Sequence, residues 1–113
     1  MARITDYRFG HVLIDGMEHT RDVIVLPQRV IPRWWRTQGH ALVLDDLAEV
    51  LDELPQRLIV GTGADGRMRP DPGALEELER RGVTVDVLPT DQAVDLFARL
   101  DPETTAAALH LTC

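Results

Sequence analysis

Apolar residues in the first third of the chain fall in the manner of strands. Phe9, Val12 and Ile14 lead into Asp15-Gly16, and the run Val23-Ile24-Val25-Leu26 follows. Successive strand residues point to opposite faces and Asp-Gly favours a two-residue turn, so this region is expected to form an antiparallel hairpin or meander. Pro27 and Pro32 punctuate it, and Arg33 to His40 has no clean period, which predicts a loop or a short irregular strand. From Asp45 the period becomes helical. Leu47, Val50, Leu51 and Leu54 stand at i, i+3, i+4 and i+7, with Asp45 or Asp46 available as a cap and Pro55 as a stop.

Arg57 to Val60 then reads as a short buried strand. Asp71-Pro72 supplies an N-cap and a first-position proline to a second helix ending at Gly82, whose exposed face pairs Glu76 with Arg80 and Glu77 with Arg81. Val83 to Leu88 is the next strand. Thr90 is expected to cap a third helix that turns Ala93, Val94, Phe97 and Leu100 inward, and Ala106 to Leu111 closes the chain as a strand. Strands alternating with helices imply parallel neighbours. The expected architecture is a single α/β domain over residues 1–113, in three layers. It has a mixed, largely parallel central sheet, flanking helices and an N-terminal antiparallel hairpin layer.

Composition narrows the chemistry. The net charge is −7, and all twelve basic residues are arginines, so attraction to nucleic acid or to anionic lipid over the whole surface is not expected. A chain without lysine has no Schiff-base, lysine-base or P-loop chemistry, and one without serine has no serine nucleophile. Cys113 is the one cysteine, which excludes an intrachain disulfide and a Cys-rich zinc site. With neither a signal-like segment after Met1 nor a membrane-length apolar run, the expectation is a soluble, cytoplasmic protein. His11, His19 and His40 lack metal-ligand spacing, so no metal is expected.

The stretch Leu58-Ile-Val-Gly-Thr-Gly-Ala-Asp-Gly-Arg-Met68 spells Gly-x-Gly-x-x-Gly after an apolar run. In a dinucleotide site the helix starts inside that motif, so that its free N–H groups meet the pyrophosphate. Here Arg67 to Pro70 intervene before the cap at Asp71, and Asp86, placed where a ribose-binding acid would lie, falls inside a strand. No nucleotide cofactor is expected. Gly61, Gly63 and Gly66 read first as turn residues where a buried strand leaves the sheet. A second reading makes Gly61, Thr62, Gly63 and Gly66 an anion nest beside Thr90, with Arg67 or Arg69 as counter-charge.

Two further segments invite a role. Trp34-Trp35 between Arg33 and Arg36 is the densest aromatic and cationic cluster of the chain. Neighbouring residues of an extended segment point opposite ways, which sends one indole inward and leaves the other outside or on the hairpin layer; Trp34, Trp35 and Arg36 are candidate partner contacts. His110 and Cys113 suggest a thiol–imidazole pair, but residues three apart on a strand face opposite ways. His110 is instead expected to hold a hydrogen bond near the sheet end.

Taken in order, Phe9-Gly10, Ile14-Asp15-Gly16, Asp22-Val23-Ile24-Val25, Trp35-Arg36 with Gly39-His40, Ile59-Val60-Gly61-Thr62-Gly63, Val87-Leu88-Pro89-Thr90 with Ala93, and Ala107 to Cys113 resemble the Mth-nine-three-eight domain family over nearly the whole chain. The resemblance implies a three-layer α/β domain and no established catalytic activity or active-site residue. Its better-described members are associated with regulation or complex assembly. The chain departs from the family pattern at Phe97-Ala98, where relatives often carry an aromatic residue followed by Asn. The functional expectation is a non-enzymatic binding or assembly module acting on a protein partner or a second copy. The alternative is an enzyme or sensor of a small anionic metabolite held by the Gly61–Gly66 and Pro89–Thr90 loops.

Overall fold

A computed structural model describes residues 3–113. Its N-terminal sheet is a meander of β1 (Ile4–Arg8), β2 (His11–Ile14) and β3 (Met17–His19), each antiparallel to the next. The β2–β3 turn is the expected Asp15-Gly16, with φ of 51° and 82°, the left-handed pair that matches strand twist.

The central sheet has the order β5-β4-β10-β7-β9, built from β4 (Val23–Val25), β5 (Val30–Ile31), β7 (Arg57–Thr62), β9 (Thr84–Leu88) and β10 (Thr105–His110). The ladders β10–β7 and β7–β9 are parallel, and β4–β10 and β4–β5 are antiparallel. A further short parallel pair joins β6 (Ala41–Leu42) to β8 (Arg69–Pro70).

Every residue of β10 is buried, as a strand flanked on both edges and covered on both faces requires. Its alternation feeds two cores. Ala106 and Ala108 face Ile24, Leu58, Val60, Met68 and Leu78, under α1 (Pro72–Arg80); Ala107 and Leu109 face Val12, Ile14, Ile59 and Phe97, under α2 (Thr90–Arg99) and the meander. These are the three expected layers. Asp71 caps α1 by accepting from Gly73 N and Ala74 N, with Pro72 in the first turn. No helix among the described residues is long and apolar enough to cross a membrane.

The helix expected from Asp45 does not form. Its place is taken by two 3-10 turns, Leu44–Leu47 and Leu51–Glu53. Tertiary hydrogen bonds explain the difference. The Trp34 indole N–H donates to the Asp46 carbonyl at 2.9 Å, the oxygen that an α-helix would offer to Val50 N, and Val50 N turns to Leu47 O instead. The Asp46 carboxylate accepts from Val43 N and from Thr37, which ties the turn to the preceding loop. Leu47 and Val50 still reach the core expected of them.

Candidate functional site

Two places gather the residues that the sequence singles out, both at the carboxyl end of β7 and β10. The first is the glycine loop. The parallel pair β7–β9 brings Gly61 to Gly66 against Pro89-Thr90, as the sequence suggests, and Thr90 N donates to Gly63 O at 3.1 Å. Thr90 is fully buried and does not serve as the helix cap, a position held by Pro89. Its hydroxyl accepts from Gly63 N at 2.8 Å and donates to His110 O at 2.6 Å, bridging β7 and β10.

Most of the other loop donors are also used within the chain. Ala64 N donates to Thr112 O and Arg67 N to Cys113 O, Gly66 N closes on Gly63 O, and the Thr62 hydroxyl donates to Leu88 O. Gly63 has φ +101°, and a Cβ there would stand 2.6 Å from the Cys113 carbonyl carbon. The segment 112–113 thus lies where an anion would enter the nest. Asp86 pairs with Arg57 at 2.6 Å, an ion pair between neighbouring strands.

The second place is an open cleft of about 960 Å³ between the end of the meander and the loop from Pro32 to Gly39. Trp34 and Trp35 part as expected: Trp34 is buried at 7% exposure, whereas Trp35 is 77% exposed. Arg36, expected as a partner contact, is buried with its guanidinium 4.9 Å from the centre of the Trp34 ring. Of the three, Trp35 alone is exposed. Trp34 and Arg36 hold the loop that presents it.

Arg36 is fixed by Asp22, which the sequence marks only as the first residue of the stretch Asp22-Val23-Ile24-Val25. Arg36 Nη1 donates to Asp22 Oδ2 at 2.7 Å and Nη2 to Gly39 O at 3.0 Å. His110 Nδ1 lies 2.8 Å from the same Asp22 oxygen and 3.0 Å from Arg36 Nη2. An ionised carboxylate can only accept, and Asp22 is the nearer of the two neighbours at 2.8 Å. The consistent assignment therefore puts a hydrogen on His110 Nδ1, donated to Asp22. Leu111 N completes the set by donating to Asp22 Oδ1 at 2.8 Å. Burial pushes the Asp22 carboxyl upward, but the His110, Leu111 and Arg36 hydrogen bonds and the Arg36 charge outweigh it, leaving Asp22 below the ordinary carboxylate range.

This arrangement leaves two buried polar atoms, His110 Nε2 and Arg36 Nε, without a partner among the described residues. An unpaired buried polar group costs about 1–3 kcal/mol, so two in one cluster ask for an explanation. His110 does hold its expected hydrogen bond at the sheet end, and β10 ends at His110, with Cys113 half-buried beyond it. Among the described residues no group of His, Cys, Asp and Glu could hold a metal ion. A smaller apolar groove lies between β1 and the end of α2, lined by Ile4, Phe97, Ala98 and Leu100. Ala98 stands on its wall.

Asp22 and His110 are 88 positions apart, and sequence reasoning had no spacing by which to join them. The signal available was slight: a polar residue at each end of an otherwise apolar run.

A family model described as a protein of unknown function (DUF498/DUF598) matches residues 4–111. Among solved structures, the chain is similar to the conserved hypothetical protein PH1505 from Pyrococcus horikoshii OT3, with 29% identity over 98% of this chain and 99% of that one, at a TM-score of 0.83. It is 27% identical to MT938 over 100% of both chains, at a TM-score of 0.78. A Bordetella pertussis protein described as a Mth938-like domain shares the fold at 17% identity over 97% of this chain and 85% of that one, with a TM-score of 0.73. The family match over nearly the whole chain agrees with the motif order read from the sequence, and the protein belongs to the DUF498/DUF598 family, the Mth938-like domains.

Proposed function

We propose that this domain is a non-enzymatic binding module, working in the cytoplasm, that meets a protein partner through Trp35 at the mouth of the cleft. The observation that carries the reading is the contrast along three consecutive residues. Trp35 is 77% exposed, while Trp34 and Arg36 on either side are 7% and 8% exposed and hydrogen-bonded into the fold. An indole presented from an anchored backbone loses little conformational freedom on binding, and Trp is enriched among the residues that dominate interface energies.

The rim adds specificity. Arg21 and Arg33 flank the cleft, with Glu18 as the exposed acid beside them, on a protein whose net charge is −7. That local excess of positive charge favours an acidic partner segment. Sensing of a small anion at Gly61–Gly66 and Pro89–Thr90 draws less support, since those donors already serve Thr90 and the 112–113 segment. The test is affinity capture with the wild type and Trp35→Ala, together with the oligomeric state of each by light scattering. A partner or self-association weakened at least tenfold by Trp35→Ala, with the fold intact, supports the module. Identical partners and identical assembly for both proteins refute it.

A further inference from the structure

We propose that the domain pairs with a second copy of itself along the free edge of β9, the two β9 strands running antiparallel about a two-fold axis at Asp86. β9 ends the order β5-β4-β10-β7-β9 and has a strand neighbour on one side only. The ladder decides which of its backbone groups face outward. Thr84 N donates to Gln56 O at 2.8 Å, and in a parallel pair alternate residues carry the bonds, so Thr84, Asp86 and Leu88 are committed to β7. Val85 and Val87 therefore turn their N–H and C=O groups away from the sheet, and among the described residues no loop backbone bonds to them. The opposite edge is blunted: β5 has two residues, set between Pro27 and Pro32. β9 has five, with no glycine or proline and an unbroken register with β7, which is the kind of edge that pairs.

The edge is complementary to itself. Its outward groups belong to two residues flanking one, so a two-fold axis at Asp86 sets Val85 of each copy opposite Val87 of the other, and each pair exchanges both of its bonds. Side chains follow the same register. Val85 packs on the core beneath α1, whereas Val87, on the same face, is 42% exposed, and pairing lays the two valines of each copy against those of the other. On the opposite face Asp86 meets the second Asp86 across a pair whose Cα atoms are about 4.5 Å apart, where like charges repel. Arg57 offsets that repulsion. Its Nε and Nη2 donate to Asp86 at 2.6 and 3.2 Å, and its Nη1 donates to no group among the described residues, so each guanidinium keeps hydrogens for the carboxylate of the other copy. Two acids and two arginines then alternate across the axis. β9 lies at the far edge of the sheet from β4, so the cleft and Trp35 of each copy stay open and the paired module is bivalent.

The test is sedimentation of the full chain over a wide range of concentration, with amide hydrogen exchange measured at both ends of that range. The expected result is a shift from one copy to two as concentration rises. The amides of Val85 and Val87, which face solvent in the single copy, should slow in step with that shift, while those of Asp86 and Leu88, already bonded to β7, change little. Val87→Pro deletes an outward N–H and no bond to β7, and should weaken association about tenfold or more with Asp86 and Leu88 still protected. Val87→Lys places a charge on the edge without constraining φ, and should do the same. Arg57→Gln leaves two carboxylates face to face and should weaken association about tenfold; adding Asp86→Asn removes both charges and should restore it.

Trp35→Ala should leave the pairing unchanged, since the cleft lies away from β9. A single copy at every concentration, with Val85 and Val87 exchanging freely, ends the proposal, and so does a dimer that survives both Val87 substitutions. Indifference to Arg57→Gln overturns the axis at Asp86. A dimer lost with Trp35→Ala but kept with Val87→Lys supports the Trp35 module and overturns the β9 edge, so the two can fail separately.

Discussion

Thr90→Val removes one hydroxyl and keeps the shape of the side chain. In the folded protein that hydroxyl is wholly buried, accepts from Gly63 N at 2.8 Å and donates to His110 O at 2.6 Å. Valine satisfies neither group, and the surrounding contacts leave water no direct path to them. A buried donor or acceptor left unpaired costs about 1–3 kcal/mol, so the two together should cost about 2–5 kcal/mol. Against a total stability of about 5–15 kcal/mol for a domain of this class, that is a large fraction. It corresponds to a fall in Tm of about 8–20 °C at this chain length.

Urea unfolding of wild type, Thr90→Val and Thr90→Ser should show the loss in the midpoint with an unchanged slope, which would place the effect in the native state. Serine retains the hydroxyl and should recover most of the stability, apart from the missing methyl. A loss below about 1 kcal/mol for Thr90→Val would show that Gly63 N–H and His110 C=O find other partners, and the clamp between β7 and β10 would have to be abandoned. So would the argument that the anion nest is already occupied by the chain.

Gly63→Ala should force the 112–113 segment away, because φ of +101° disfavours any side chain and the new Cβ would lie 2.6 Å from backbone carbon; a cost of about 2–4 kcal/mol is expected, with faster amide exchange at Ala64 and Arg67. Trp34→Ala should cost about 3–5 kcal/mol, since it deletes a core indole and its bond to Asp46 O, whereas Trp35→Ala should leave Tm within a few degrees of wild type; thermal melts of the two variants compare them directly. The Asp22 carboxyl is held below its ordinary range in the fold, so its contribution is complete above the unfolded value near pH 4 and is lost as pH falls through the lower folded value. Acid titration of stability should therefore show a loss below about pH 4 that Asp22→Asn, already destabilised at neutral pH, lacks.

Much of the fold was legible in the sequence because the relevant physics is local. Asp15-Gly16 specifies its own turn through two left-handed residues, Asp71-Pro72 starts α1 through a side-chain cap and a preset φ, and the unbroken apolar runs of β4, β7 and β10 mark strands covered on both faces. The segment from Asp45 to Leu54 has the right period and the wrong outcome. Periodicity decides which residues face the core, and Leu47 and Val50 do, but an indole from another part of the chain takes the carbonyl that would have propagated the helix.

The candidate site depends on distance in the chain in a different way. The sequence alone could mark Trp34-Trp35 as aromatic and cationic and require the two indoles to diverge, because neighbouring side chains in extended backbone point apart. Which indole goes inward was decided by Asp46 and Asp22, which give hydrogen-bond partners to Trp34 and Arg36 and none to Trp35. Likewise Gly61-x-Gly63-x-x-Gly66 showed a loop rich in backbone donors, while only the packed structure brings Thr90, Thr112 and Cys113 to consume them. Asp22 and His110 meet because antiparallel β4 sets its first residues beside the last residue of β10. Turns, caps and burial patterns are written within a few residues, but the partner of a buried polar atom is chosen by strand order, which no local spacing encodes.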